Sequence, residues 1–213
     1  MAHVYMRIGH LGKPSPHDND RGAWSPVADA WESDLTIHAA AAAVPVLQDA
    51  GHEVTVWPVL AAPTYYGQDH ARVVRESMED ARRSVYVQWH ADVGERVSWV
   101  GPYHDHRSTW GLDCSQKIAE AWRQEWAAEL GGHFTAIVKA ATPEDWTAHA
   151  YNTISGVYSS RHAFGLCLEV ARMDNPAHAP LLTPDGLRRI GTSTAEGLVA
   201  YLGRSANLST PAA

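Results

Sequence analysis

The sequence predicts an α/β fold: one domain, a three-layer sandwich with a mixed, mainly parallel sheet flanked by helices. Two observations lead there. Short apolar, β-branched runs at residues 3–8, 52–59, 84–90 and 163–170 alternate with helix-like stretches of 15 to 20 residues. The runs at 84–90 and 163–170 are nearly continuous in apolar character, as strands buried on both faces are. A third feature concerns function. His10, His90 and Glu169 fall at or near the carboxyl ends of predicted strands, where such sheets bind ligands.

The elements follow in order. Residues 3–8 form a first strand with a stop at Gly9, and residues 11–29, rich in Gly, Pro, Asp, Asn and Ser, form a long surface loop. Loops of that length inside a domain are commonly functional. Small and apolar residues at helical spacing give a helix over 30–50, with Gly51 just past its end and Pro45 as a kink or break. After the second strand comes a polar helix over 69–83. A second long, aromatic-rich loop covers 91–112, with room for a short strand at 97–100, and a helix over 113–130 ends at Gly131 and Gly132. Residues 134–139 read as a strand and 140–160 as ambiguous. The last helix, 183–202, carries Thr183 as N-cap and Pro184 in its first position. The expected organisation is a catalytic domain over 1–203 and a flexible tail over 204–213.

Composition narrows the function classes. A 213-residue chain with 45% hydrophobic content can bury a full core, which argues against disorder. Its net charge of −7 and lack of a basic cluster argue against a nucleic-acid partner. No apolar stretch reaches the roughly 20 residues of a membrane span. Neither a basic n-region nor an apolar h-region opens the chain, so no signal peptide is visible. The two cysteines, Cys114 and Cys167, indicate no disulfide framework, and Cys167 reads as a buried thiol.

Thirteen histidines exceed the needs of any one metal, so position must select among them. His10 lies in Ile8-Gly9-His10-Leu11-Gly12, Glu32 opens a helix, and His90 closes the third strand. Two imidazoles and a carboxylate from separate elements make an open zinc site with a position left for water. Glu169, inside an apolar strand, is placed to have its pKa raised and to move protons to and from that water. Each residue also has an ordinary reading. His10 suits a turn, Glu32 suits the helix dipole, and Glu169 could pair with Arg161 or Arg172. His104, Asp105 and His106 look like a second metal cluster but read better as solvated loop residues. Trp99, Tyr103, Trp110 and residues 149–162 are candidate groove walls, and Asp20 and His162 candidate contributors to the site.

The flanking residues carry a resemblance over most of the chain, from Met6 to Leu202. Gly9-His10-Leu11-Gly12, Glu32-Ser33-Asp34-Leu35-Thr36, Ala50-Gly51-His52-Glu53-Val54, Gln88-Trp89-His90-Ala91-Asp92, and Glu169 with Asn175 occur in family-like order. Together they resemble the zinc-dependent N-acetylmuramoyl-L-alanine amidases of the amidase-3 family. Asp20-Arg21-Gly22-Ala23 resembles that family's Asp-x-Gly-Ala, displaced by a few residues, while Leu11, Thr36 and Asp92 depart from its pattern. The resemblance implies one zinc ion held by His10, Glu32 and His90, with Glu169 as the catalytic residue. It implies peptidoglycan as substrate, cut at the amide between N-acetylmuramic acid and L-alanine. It also accommodates a phage endolysin, made in the cytoplasm and reaching the cell wall through a holin or another route. Two other readings stay open: a zinc amidohydrolase of small N-acyl or N-formyl amino acids, and a non-catalytic wall-binding domain.

Overall fold

A computed structural model describes residues 1–10, 21–57, 75, 84–94, 99–142 and 163–205. Its centre is four parallel strands: β1 (His3–Ile8), β4 (Glu53–Trp57), β5 (Ser84–Asp92) and β9 (Ala163–Arg172), in the order β4-β1-β5-β9. β6 (Trp99–Asp105) adds antiparallel to β9. Two short segments, β7 (Thr135–Ala136) and β8 (Lys139–Ala141), pair in succession with β6 and close that edge. A two-residue ribbon, β2 (Trp24–Ser25) with β3 (Ala30–Trp31), stands apart from the main sheet. The predicted α/β class with a mixed, mainly parallel sheet is what the chain adopts.

The register explains why the two faces differ. One face presents Val4, Met6, Ile8, Val85, Val87, Trp89, Leu166 and Leu168, all buried in a single core with the helices. The other carries Tyr5, Arg7, Tyr86, Gln88, Cys167 and Tyr103, which are also buried. Arg7, Gln88, Cys167 and Tyr103 are aligned across β1, β5, β9 and β6. One step toward the carboxyl ends of the parallel strands, the same face presents His90 and Glu169. Cys114 and Cys167 are both buried, and neither is in a disulfide.

Three helices cover the apolar face: α1 (Glu32–Asp49), α2 (Thr109–Leu130) and α3 (Pro184–Ser205). α1 starts two residues later than its periodicity suggests, because Ala30 and Trp31 pair with the ribbon. It runs on through Pro45 as one helix, and Gly51 follows it at φ +82. α2 starts four residues earlier than predicted, since the Ser108 hydroxyl accepts the Gly111 N–H at 2.9 Å and caps it. Half of the expected loop at 91–112 is therefore β6 and the first turn of α2. α3 begins as the sequence indicates, with Thr183 Oγ1 accepting the Gly186 N–H at 3.0 Å. No helix among the described residues is long and apolar enough to cross a membrane. The helix expected over 69–83 lies outside the described residues except Arg75, which is helical. Most of 140–160 and of the tail likewise lie outside them.

α3 approaches its neighbours at two glycines. A Cβ on Gly191 would sit 2.0 Å from the Ala39 carbonyl oxygen of α1, and one on Gly197 would sit 2.7 Å from Ile118 Cα of α2. Both obstacles are backbone, so the helices would have to separate. Gly191→Ala and Gly197→Ala should each destabilise the fold by about 1–3 kcal/mol. Gly203→Ala, with nothing within 4 Å of the new methyl, should be neutral or slightly stabilising. Urea unfolding midpoints of the three variants check this ordering.

Candidate metal centre

The parallel strands deliver their carboxyl ends to one edge, and there the chain brings together His10, Glu32 and His90. Their ligand atoms all lie within 4.8 Å of one another. His10 follows β1 at φ 55, a left-handed conformation rare for a side-chain-bearing residue and common at functional sites. Gly9 makes the approach possible. Its N–H donates to the Trp89 carbonyl at 2.8 Å, and a Cβ there would lie 2.4 Å from His90 Cε1. The two imidazoles meet edge to face, with centroids 5.0 Å apart.

Glu32 is the hub. His90 Nδ1 donates to its Oε1 at 2.8 Å, the Ala91 N–H to the same oxygen at 3.2 Å, and the Ala23 N–H to Oε2 at 3.2 Å. His10 Nε2 stands 3.6 Å from Oε2. No side chain caps α1. Its first amides instead donate to carbonyls of the preceding segment, Glu32 N to Ala23 O and Ser33 N to Arg21 O. Gly22, at φ +80, lies so close that a Cβ would fall 2.5 Å from Glu32 Oε2. Burial alone would raise the Glu32 carboxyl. The His90 hydrogen bond, the charges of His90 and His10 and the Ala91 N–H outweigh that effect and hold it below its ordinary range.

Glu169 pairs in register with His90 on the adjacent strand, on the same face of the sheet. Its residue keeps some contact with solvent, yet Oε2 is sealed from water and accepts no hydrogen bond among the described residues. Desolvation, then the charges of Asp92 and Glu32, push this carboxyl well above the usual range, while Arg172 pulls weakly the other way. Opposite Glu169 on β6 is Gly101, so no side chain on that strand fills the space directly beside it.

The donor set fits one zinc ion. Two imidazole nitrogens and a carboxylate, converging from three elements, match an open catalytic zinc site. Ligands at about 2.0–2.1 Å in tetrahedral geometry stand roughly 3.3 Å apart, close to the 3.6 Å between His10 Nε2 and Glu32 Oε2. His90 Nδ1 faces Glu32 Oε1, and its Nε2 is buried without a partner among the described residues.

Other sequence candidates resolve differently. The Glu169–Arg172 pair does not form as a contact, because Arg172 ion-pairs with Asp92 across β5 and β9. The Arg172 backbone is fixed as well: its N–H donates to His178 Nδ1 at 3.0 Å. His104, Asp105 and His106 gather no metal-like cluster among the described residues. His104 Nδ1 donates to its neighbour's carbonyl, and Asp105 accepts from Arg107 at 2.8 and 2.6 Å. Tyr103 is buried inside β6, and Trp110 opens α2 near the far edge of the sheet, away from the cluster. The Asn175 side chain caps a short 3-10 turn by accepting the Ala177 N–H at 3.0 Å. Asp20, Arg161, His162 and the Trp99 side chain lie outside the described set. The sequence reading did not single out the Ala23 and Ala91 amides, and backbone donors leave no mark in residue types. The Asp-x-Gly-Ala resemblance was the available signal for Gly22 and Ala23.

No family model matches the sequence, and no curated protein matches it. Solved structures do. Cwp6 from Clostridium difficile superposes with a TM-score of 0.66 at 16% identity, covering 93% of this chain, which spans 29% of that one. N-acetylmuramoyl-L-alanine amidase AmiC2 of Nostoc punctiforme gives 0.64 at 14% identity, over 94% of this chain and 98% of that one. The fold is that of the N-acetylmuramoyl-L-alanine amidases. The catalytic domain of CwlV, an N-acetylmuramoyl-L-alanine amidase from Bacillus (Paenibacillus) polymyxa var. colistinus, agrees at 0.63 and 18% identity, over 95% and 99% of the two chains.

The electrostatics of Glu169 make a testable statement about stability. An acid whose folded pKa is raised opposes folding once pH exceeds its unfolded value of about 4.3. Its penalty grows until pH reaches the folded pKa. In metal-free protein, Glu169→Gln should therefore be more stable than wild type at pH 7, with the gap closing as pH falls below about 4.3. Urea unfolding of both proteins at pH 7 and pH 4 measures the difference.

Proposed function

We propose that this protein is a zinc-dependent N-acetylmuramoyl-L-alanine amidase, hydrolysing the amide between N-acetylmuramic acid and L-alanine in peptidoglycan. The observation that carries the reading is the convergence of His10, Glu32 and His90, with Glu169 beside them, at the carboxyl edge of an amidase-type sheet. Residues 1–203 would form the catalytic unit. Action on the wall would follow release from the cytoplasm by a holin-type or other route.

His10, Glu32 and His90 would hold one zinc ion. When bound, zinc lowers the pKa of a water and polarises an amide carbonyl. The remaining work belongs to the chain. Backbone N–H groups of Ala23 and Ala91 orient the Glu32 carboxylate. Glu169 takes the proton of the attacking water as its oxygen bonds to the carbonyl carbon. It then returns that proton to the nitrogen of alanine as the C–N bond breaks, leaving a free lactyl carboxylate and a free amine. A carboxyl whose pKa is raised by burial binds a proton more readily than an ordinary carboxylate, which suits this exchange.

Glu169→Ala should lower kcat by about 100-fold or more while zinc content stays near one per chain. His90→Ala should lose zinc as well as activity. Release of soluble peptides from purified cell walls, with mass spectrometry of the bond cut, reads both. Full activity in the Glu169 variant would remove the mechanism, and cleavage of small N-acyl amino acids alone would select the amidohydrolase reading instead. A chelator should abolish turnover, and added zinc should restore it.

A further inference from the structure

Two tryptophans among the described residues are strongly exposed, Trp24 at 43% and Trp110 at 40%. Only Trp24 adjoins the metal cluster. The residue before it, Ala23, donates to Glu32, and its ribbon partner, Trp31, directly precedes Glu32. The ribbon is anchored on its other side as well. Ser25 is fully buried and its hydroxyl donates to the Met173 carbonyl beyond β9 at 2.8 Å. Successive residues of a strand point to opposite faces, so an inward Ser25 turns Trp24 outward. The two indoles meet edge to face, with centroids 5.2 Å apart at 74°, which fixes the orientation of Trp24.

We propose that Trp24 is a sugar-stacking platform that seats the glycan side of the substrate beside the metal cluster. This rests on the amidase reading for its placement. The chemistry of the patch selects the occupant. Its charged neighbours, Arg21 and Asp34, form an ion pair at 2.5 Å, and the Arg21 guanidinium lies over the Trp31 ring at 5.7 Å. These two charges offset each other beside the aromatic pair. A stem peptide bearing carboxylates would have to compete with Asp34 for Arg21. A pyranose ring presents a face of C–H bonds, which packs against the π-face of an indole without any charge partner. Cleavage at the lactyl amide requires a sugar within one linkage of the cluster, and Ala23, the residue before Trp24, donates to Glu32 at 3.2 Å.

The test compares zinc-loaded wild type, Trp24→Ala and Trp24→Phe on two substrates with the same scissile amide. One is a disaccharide-peptide, the other a D-lactyl-L-alanyl peptide without sugar. The ratio of kcat/KM for the two should fall about tenfold in Trp24→Ala, through KM for the disaccharide-peptide, and recover largely in Trp24→Phe. An unchanged ratio, or an equal loss on both substrates, overturns the proposal. A second measurement is independent of turnover: titration of the protein with a peptide-free oligosaccharide of alternating N-acetylglucosamine and N-acetylmuramic acid, followed by indole fluorescence. Binding by wild type that is lost in Trp24→Ala supports the platform even if neither amide is cut, an outcome that would sink the amidase reading alone. No binding by wild type overturns the platform.

Discussion

The carboxylate of Glu32 joins the parts of this protein that matter most for its chemistry. It belongs to the first turn of α1, yet it is held by the end of β5 through His90 and Ala91 and by the ribbon segment through Ala23. Three separate stretches of chain are thereby fixed at one point of the sheet edge. The substitution of backbone carbonyls for a side-chain cap at α1 has the same effect, because the helix cannot start without the ribbon lying across it. A buried anion with this many donors is stable as an anion, which is the state a metal ligand needs.

A few ångströms away the same edge does the reverse to a second carboxyl. Glu169 sits on β9 next to His90, but no group among the described residues donates to its sealed oxygen. Asp92 and Glu32 add negative charge nearby, and Arg172, which opposes them, is already paired with Asp92. Two glutamates at one edge are thus driven in opposite directions: hydrogen bonds and histidine charges hold Glu32 low, while desolvation and nearby negative charge raise Glu169. That separation of pKa values is the pattern expected where one carboxylate serves as a charge and a second exchanges protons.

The core elements were legible in the sequence because each carries a local signal. The strands at β1, β5 and β9 are dense in apolar and β-branched residues, and the last helix announces itself by Thr183 and Pro184. Where signals were short or ambiguous, prediction erred. A two-residue ribbon has no periodicity to detect, so β2 and β3 were read as loop and helix start. β6 contains Gly101 and Pro102, both poor strand formers, and forms because β9 offers it an antiparallel partner. Its strand assignment turns Tyr103 from a groove wall into a buried residue.

By itself the sequence determined the fold class and the chemical identity of the site residues, since apolar periodicity and residue type are local properties. His10, Glu32, His90 and Glu169 stood out for their place at the ends of apolar runs, before any contact between them was known. Tertiary structure alone decided how close they come and which way the pKa of each carboxyl is shifted. Register set Glu169 beside His90, the ribbon caged Glu32, and Asp92 drew Arg172 away. Those outcomes depend on pairings between residues tens of positions apart and on backbone donors common to nearly every residue, so no stretch of sequence could declare them.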